Sequence, residues 1–205
     1  MADFLTALPY LLASEGGYVN NPADKGGETY AGITATTARS HGYTGTMNPI
    51  PDDWVANIYR AWYWDDAGLD DITSQSVATA LLDGIADGKG NMAKVAQAAL
   101  DALNIENDGD GAWGPNTLAA VNSADPDAFI AALSDAWHGW YDSILARDPS
   151  QQVFAKGWSN RADKLLTLQS GLAGMAAQVT QNPITTGIIL SVAFLALTFL
   201  LGRRA

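Results

Sequence analysis

Helix-compatible spacing of apolar residues recurs along most of this 205-residue chain and restricts the fold to a mainly α-helical one. Many of these segments are also rich in alanine, the strongest helix former. The predicted helices cover 3–14, 52–64, 76–86, 92–103, 117–122, 126–144 and 151–169. Pro9 interrupts the first pattern, so that helix either bends there or begins its regular part near Leu8. Turn-forming residues leave room for at most a small β-hairpin near 18–34.

Glu15 follows the first predicted helix, where two consecutive glycines signal the helix end. Its apolar neighbours are expected to screen the carboxyl from water, and such burial raises a carboxyl pKa toward the range that suits a general acid near neutral pH. Asp24 lies nine positions after Glu15 and Thr29 fourteen after. A second glycine pair between them permits a tight turn, so the three side chains are predicted to come together.

Each of these residues also has a simpler interpretation. Glu15 is then a solvated residue at a helix end, which is where a lone glutamate usually lies. Asp24 is then a turn residue that bonds its own backbone, because aspartate is favoured in such turns. Glu28 is a further candidate for the same role as Asp24, and a weaker one, since no motif position supports it.

Residues 15–34, with the sequence EGGYVNNPADKGGETYAGIT, resemble the signature of glycoside hydrolase family 108, the N-acetylmuramidases found in phage and bacterial lysis cassettes. The order Glu, Asp, Thr is also similar to that of phage-type lysozymes. Three later segments resemble an aromatic segment, a peptidoglycan-binding-like loop and the terminal segment of the family: YRAWYW at 59–64, DGDGAWGPNT at 108–117 and FAKGWSNR at 154–161. The resemblance covers about residues 3–165 and implies a lysozyme-like helical domain.

Carried over to this sequence, the resemblance implies hydrolysis of the β-1,4 bond between N-acetylmuramic acid and N-acetylglucosamine, with Glu15 as the general acid. A glycosidase also needs a second polar group across the scissile bond. Asp24 is the nearest candidate for that role, as a base, nucleophile or stabiliser of the cation. The hydroxyl of Thr29 would then hold a water molecule.

Amide and aromatic side chains near Glu15 are candidates for sugar binding, because saccharides offer groups for directional hydrogen bonds and flat faces for stacking. The predicted substrate-binding residues are Asn20, Asn21, Tyr30, Trp62 and Trp64. The aromatic members of this set have a second interpretation as core residues, since their rings bury large apolar areas. Trp62, Tyr63 and Trp64 cannot all face one way on a helix, so at least one of them is expected near the surface or the cleft.

Charge and residue counts exclude several classes of function. The formal net charge of −11 disfavours nucleic-acid binding, which needs clustered lysine and arginine. The chain has no cysteine, which excludes disulfides and cysteine-based zinc sites, and its two histidines are far apart in sequence. An acidic stretch at 106–111 resembles the start of a calcium loop but lacks the glutamate needed at position twelve, so a tight turn before a helix is preferred. We therefore expect no metal and no cofactor.

Residues 184–201 form an uncharged run that ends before two arginines. As a helix this run is about 27 Å long, close to the roughly 30 Å hydrocarbon thickness of a bilayer, so it predicts a single C-terminal transmembrane helix. A buried core or oligomer helix is the alternative. The arginines favour a cytoplasmic C-terminus, whereas an N-terminal domain that folds before its anchor emerges would stay cytoplasmic.

The predicted organisation is a lysozyme-like catalytic part, a helical peptidoglycan-binding-like part packed on it, a linker or helix extension and a transmembrane helix, at 1–75, 76–168, 169–183 and 184–201. The expected protein is an endolysin anchored by its C-terminus in a host inner membrane or virion membrane, for phage-type host lysis or wall penetration. Its expected partners are peptidoglycan glycan strands, the lipid bilayer and other phage or virion proteins. The alternatives are a lytic transglycosylase that uses the same Glu15, and a non-catalytic wall-binding or structural virion membrane protein.

Overall fold

A computed structural model describes residues 1–20, 27–88 and 90–169. Its helices and strands in chain order are α1 Phe4–Leu12, β1 Thr29–Tyr30, β2 Ile33–Thr34, α2 Ala35–Ser40, α3 Asp52–Tyr59, α4 Gln75–Gly88, α5 Met92–Ala102, α6 Pro115–Ser123, α7 Pro126–Arg147 and α8 Ala155–Leu165. A π-helical turn at Arg60–Asp65 extends α3, and 3₁₀ turns occupy Leu69–Asp71, Pro149–Phe154 and Leu166–Leu168. The predicted mainly helical fold with a small hairpin is the one observed in these residues.

Helix α1 begins at an aspartate cap and continues through its proline. The Asp3 carboxylate accepts a hydrogen bond of 2.8 Å from the backbone N–H of Thr6, which satisfies one of the free donors of the first turn. Pro9 lies inside the helix, and the regular part of α1 begins at Phe4 rather than near Leu8. Because proline has no backbone N–H, the carbonyl of Leu5 loses its helical hydrogen bond. Leu5 lies on the exposed side of α1. The opposite face is buried, and its packing holds the helix together.

Strands β1 and β2 form a two-residue hairpin just after the turn-rich stretch. Tyr30 pairs with Ile33, and the loop residues Ala31 and Gly32 both have positive φ, at 48° and 76°. Two residues with positive φ are typical of the type I′ turn, whose twist matches that of the paired strands. Val19 pairs with Thr29 as an isolated bridge, which ties the segment after Glu15 to the hairpin.

The helices enclose one continuous apolar core that extends from α1 to α8. The closest helix packing joins α1 with α4, α5 with α7 and α7 with α8. The largest fully buried side chains include Trp64 and Phe129. Because α4 contacts both α1 and α7, it connects the N-terminal hairpin region with the C-terminal helices.

The predicted transmembrane helix is corrected by the structure. None of the helices in the described residues is both long and apolar enough to cross a membrane. The longest, α7, has 22 residues, but its acidic side chains and a C-terminal arginine interrupt its apolar surface. The predicted span at 184–201 and nearly all of the predicted linker at 169–183 lie outside the described residues. The described residues form a helical domain with a small hairpin, and the predicted C-terminal membrane anchoring is withdrawn.

Candidate active site

Glu15 lies in the turn that follows α1, with its side chain against the hairpin. The backbone N–H of Glu15 donates to the carbonyl of Leu11 at 3.3 Å, which continues the helical turn beyond the end of α1. A Cβ atom on Gly32 would lie 2.4 Å from Oε2 of Glu15 and 2.6 Å from the hydroxyl oxygen of Tyr59. Gly32 also has a φ of 76°. Both its backbone conformation and its close approach to Glu15 therefore require glycine.

The Glu15 carboxylate contacts Arg161, which is contributed by α8. Nη2 of Arg161 lies 3.1 Å from Oε1 of Glu15, and the two side chains are only 18% and 16% exposed. The same guanidinium contacts two carboxylates of α4: its Nε lies 2.9 Å from Asp83 Oδ2, and its Nη1 lies 3.3 Å from Asp87 Oδ1. We call Glu15, Asp83, Asp87 and Arg161 the Arg161 cluster. It joins three segments that are distant in sequence around one guanidinium.

The Arg161 cluster places Glu15 in an environment suited to proton transfer. Burial raises the pKa of the Glu15 carboxyl, because a charged group is poorly solvated there. The positive charge of Arg161 and its hydrogen bond oppose this change, whereas the negative charges of Asp83 and Asp87 add to it. The balance leaves the pKa raised. A carboxyl with a raised pKa holds its proton closer to neutral pH, as a general acid must.

Two tyrosines of the π-extended α3, the buried Tyr59 and the half-buried Tyr63, lie on the other side of Glu15. The Tyr59 hydroxyl donates to the carbonyl of Ala31 at 2.8 Å, which fixes the hairpin turn. Burial raises the pKa values of both Tyr59 and Tyr63, and the negative charge of Glu15 raises them further. Both phenols therefore stay neutral and serve as an apolar wall with polar edges.

Helix α8 also holds the turn that carries Glu15. Nζ of Lys164 donates to the carbonyl of Tyr10 at 2.8 Å and to the hydroxyl of Ser14. The same Nζ lies 3.8 Å from the centre of the Tyr10 ring, within the range of a cation–π contact. Burial lowers the pKa of Lys164 to about 8. Arg161 and Lys164 lie one helical turn apart on α8, so one helix face contacts both the Glu15 carboxylate and the backbone before it.

The described residues include only some of the predicted site residues. Asp24 and Asn21 lie outside them. Thr29 is half-buried in β1, where its hydroxyl donates to the carbonyl of Gly27 at 3.3 Å. Asn20 is exposed and donates to the Tyr18 hydroxyl at 3.3 Å.

The predicted aromatic sugar-binding residues divide between core and surface. Trp62 is 43% exposed and its ring lies against His41. Tyr30 is 7% exposed, as part of the hairpin. Trp64 is fully buried, with its indole N–H donating to Asp70 at 2.8 Å. As the structure stands, Trp64 is a core residue rather than a sugar-binding one, because its ring has no surface to offer a ligand.

The sequence-based prediction did not single out the partners of Glu15. Asp83 and Asp87 are spaced i and i+4 on one side of α4, and Asp83 lies within the buried apolar stretch of that helix. Arg161 is the last residue of the segment that resembles the end of the family pattern. A buried aspartate and a distant arginine are a signal for an ion cluster, but the pattern does not say which arginine pairs with which acid.

Comparison with known families divides the chain at the end of α4. Residues 8–87 match the model of the family described as "Glycosyl hydrolase 108", and residues 91–163 match the model described as "Predicted Peptidoglycan domain". Glu15, Asp83 and Asp87 lie in the first matched region, and Arg161 lies in the second. The Arg161 cluster is thus assembled from both regions.

The fold also resembles a solved structure. The structure of SagA from Brucella abortus aligns with a TM-score of 0.63 and 28% sequence identity, over 88% of this chain and 97% of SagA. No curated protein matches the chain. The two family matches and this structural likeness support a peptidoglycan-degrading lytic enzyme, whose first matched region is similar to glycosyl hydrolase 108.

Proposed function

We propose that this enzyme hydrolyses the β-1,4 bond between N-acetylmuramic acid and N-acetylglucosamine, with Glu15 as the general acid. The observation that supports this role is the placement of one buried carboxyl, whose pKa is raised by burial, beside the Arg161 guanidinium at 3.1 Å. Protonated Glu15 gives its proton to the glycosidic oxygen as the bond to the anomeric carbon breaks. A water molecule then supplies the hydroxyl of the new reducing end.

Arg161 has a defined part in this mechanism as a positioning residue. After proton transfer, Glu15 carries a negative charge in a buried site, which is costly unless a counter-charge is present. Arg161 supplies that charge from its fixed place between Asp83 and Asp87. Its position is set before the reaction, so little reorganisation is needed when Glu15 becomes charged.

Asp24 remains the proposed second group, which stabilises the developing cation or directs the water, with Thr29 as a further water-binding residue. The carboxylates of the Arg161 cluster are less suited to this role. Asp83 is almost completely buried, and Asp87 is bonded to both Arg161 and the hydroxyl of Tyr141. Neither is free to attack a sugar in this conformation.

The engagement of Asp83 and Asp87 by Arg161 also supports a second candidate, a lytic transglycosylase. In that reaction Glu15 protonates the leaving oxygen and then removes a proton from the muramic acid, whose own hydroxyl closes onto the anomeric carbon. No attacking water and no second carboxylate are required. The two reactions leave chemically different ends on the product.

Mass spectrometry of the released muropeptides tests the proposal. Purified peptidoglycan is digested with the full chain, with Glu15→Gln and with Glu106→Gln, an exposed glutamate that receives the same chemical change. We expect reducing muramic acid ends from the wild type and Glu106→Gln, and loss of release by Glu15→Gln. Anhydro-muramic ends would show that the enzyme is a lytic transglycosylase and not a hydrolase. Unchanged release by folded Glu15→Gln would contradict the role of Glu15 in either reaction.

A further inference from the structure

Helix α8 carries aromatic side chains on the same face as Arg161. Phe154, which caps the start of α8, Trp158 and Arg161 are spaced i, i+4 and i+7, which places them along one face. The ring centres of Phe154 and Trp158 are 5.8 Å apart. Trp158 in turn stacks on Tyr141 of α7, with ring centres 5.3 Å apart and planes inclined by 16°. We call Phe154, Trp158 and Tyr141 the ring row.

The ring row leads from the surface to the Arg161 cluster. Phe154 is 52% exposed, Trp158 is half-buried and Tyr141 is buried. At the inner end the Tyr141 hydroxyl donates to Asp87 Oδ2 at 2.7 Å, and Asp87 Oδ1 lies 3.3 Å from Arg161. Direct contacts therefore connect the exposed Phe154 ring, through Trp158 and Tyr141, with the Arg161 cluster that contains Glu15.

The size of the exposed surface distinguishes between kinds of ligand. The large apolar residues exposed on the 3₁₀ turn before α8 are Val153 and Phe154. Two side chains offer far less area than the roughly 800 Å² per partner that a stable protein interface buries. A single sugar ring needs only one or two aromatic faces, with polar groups beside them.

We propose that Phe154 and Trp158 form a saccharide subsite that binds the glycan strand next to the bond cleaved at Glu15. This inference rests on the proposed function, because the strand is the substrate of Glu15. It assigns to the second matched region a binding surface that enters the same site as the catalytic acid. A sugar stacked there would hold the strand while the neighbouring bond reaches Glu15.

The test measures binding without cleavage. Full-length Glu15→Gln is sedimented with purified peptidoglycan sacculi, and the bound fraction gives the dissociation constant. Three further substitutions are made in this background: Phe154→Leu, Phe154→Tyr and, as the matched control, Val153→Ala at the neighbouring exposed apolar residue. Circular dichroism confirms the fold of each variant. Phe154 is half-exposed, so its substitutions leave the core intact.

We expect Phe154→Leu to weaken binding about five- to tenfold, because leucine keeps the apolar volume but loses the ring face. Phe154→Tyr and Val153→Ala should bind as Glu15→Gln does. Equal binding by the leucine and tyrosine variants would overturn the subsite. So would a leucine variant that binds sacculi normally but changes its sedimentation coefficient, since the face would then contact a second copy of the chain. Cleavage by the wild type is assayed separately, so failure of the subsite and failure of the proposed function give different results.

Discussion

Two arginines in this protein are each paired with two or more carboxylates, yet the two clusters lie in different surroundings. In the Arg161 cluster, the side chains of Arg161, Glu15 and Asp83 are 18%, 16% and 2% exposed. In the second group, which we call the Arg60 cluster, Arg60 pairs with Asp65 and Asp70, and the three side chains are 39%, 47% and 51% exposed. Both clusters pair an arginine with carboxylates, but water reaches the Arg60 cluster much more than the Arg161 cluster.

This difference explains why only one of the clusters is suited to chemistry. Water and salt screen the charges of the Arg60 cluster, so its ion pairs contribute little. In the Arg161 cluster the effective dielectric constant is lower, so each charge acts strongly on its neighbours. Because the cluster is buried, each of its charges is costly unless its partner is present. The cluster can therefore control the proton of Glu15, and it is also vulnerable to the loss of any one member.

The largest effect on activity is expected for Glu15→Gln. Loss of a positioned general acid should lower the rate of muropeptide release about 10²- to 10⁴-fold. Asp65→Asn, which makes the same kind of change in the Arg60 cluster, should leave the rate within about twofold, because an exposed pair contributes little. Rates are measured as soluble reducing ends released from purified peptidoglycan. Comparable losses in the two variants would show that burial does not distinguish the clusters.

Removing each arginine in turn tests how much the Arg161 cluster and the Arg60 cluster contribute to the stability of the fold. Arg161→Gln leaves Asp83 buried without its counter-charge and should lower the free energy of unfolding by about 3–5 kcal/mol. Arg60→Gln should lower it by about 0–1 kcal/mol. Urea denaturation followed by circular dichroism gives both values. If the two variants lost the same stability, the cluster around Arg161 would not be the buried network described here.

Two glycine substitutions separate the effect of the contact between Gly32 and Glu15 from the effect of backbone strain. Gly32→Ala adds a Cβ 2.4 Å from Oε2 of Glu15 at a φ of 76°, whereas Gly42→Ala meets nothing at a φ of 84°. Each should lose about 1–2 kcal/mol of stability from the positive φ. Only Gly32→Ala should also displace Glu15 and lower activity, by about 10- to 100-fold. An equal loss of activity in both variants would show that the contact with Gly32 is not what positions the acid.

The pH dependence of activity gives the finest test. Glu15 acts in its protonated form, so activity should fall as pH rises through its pKa. Arg161 lowers that pKa, although burial outweighs it. Arg161→Gln should therefore shift the alkaline limb of the activity profile to higher pH, while Arg60→Gln leaves the limb in place. A shift to lower pH in Arg161→Gln would reverse the sign of the interaction between the arginine and the acid.

The sequence predicted local structure better than the assembly of the site. Alanine-rich segments with helical spacing predict a helix over 126–144, close to the observed limits of α7, because periodicity is a local property. The hairpin was predicted near 18–34 from turn-forming residues, which also act locally. Glu15 was singled out by its place at a helix end and by the family resemblance.

The Arg161 cluster could not be predicted in the same way, because its contacts depend on tertiary packing. Arg161 and Glu15 are 146 positions apart, and their pairing depends on how α8 lies against α4 and the end of α1. Trp64 shows the same limit: its aromatic segment suggested sugar binding, but the π turn directs the ring into the core. The periodicity of a sequence shows which residues share one face of a helix. It does not show which other element packs on that face.

The most direct test of the account is the titration of the Glu15 carboxyl in the folded protein. The chain contains only three glutamates, Glu15, Glu28 and Glu106, so ¹³C labelling of glutamate side chains gives a simple NMR spectrum. The resonance that is lost in Glu15→Gln identifies Glu15. We predict that it titrates above the ordinary range of glutamate, and higher still in Arg161→Gln. A Glu15 pKa at or below the ordinary value would contradict the claim that a buried arginine cluster holds a protonatable catalytic acid.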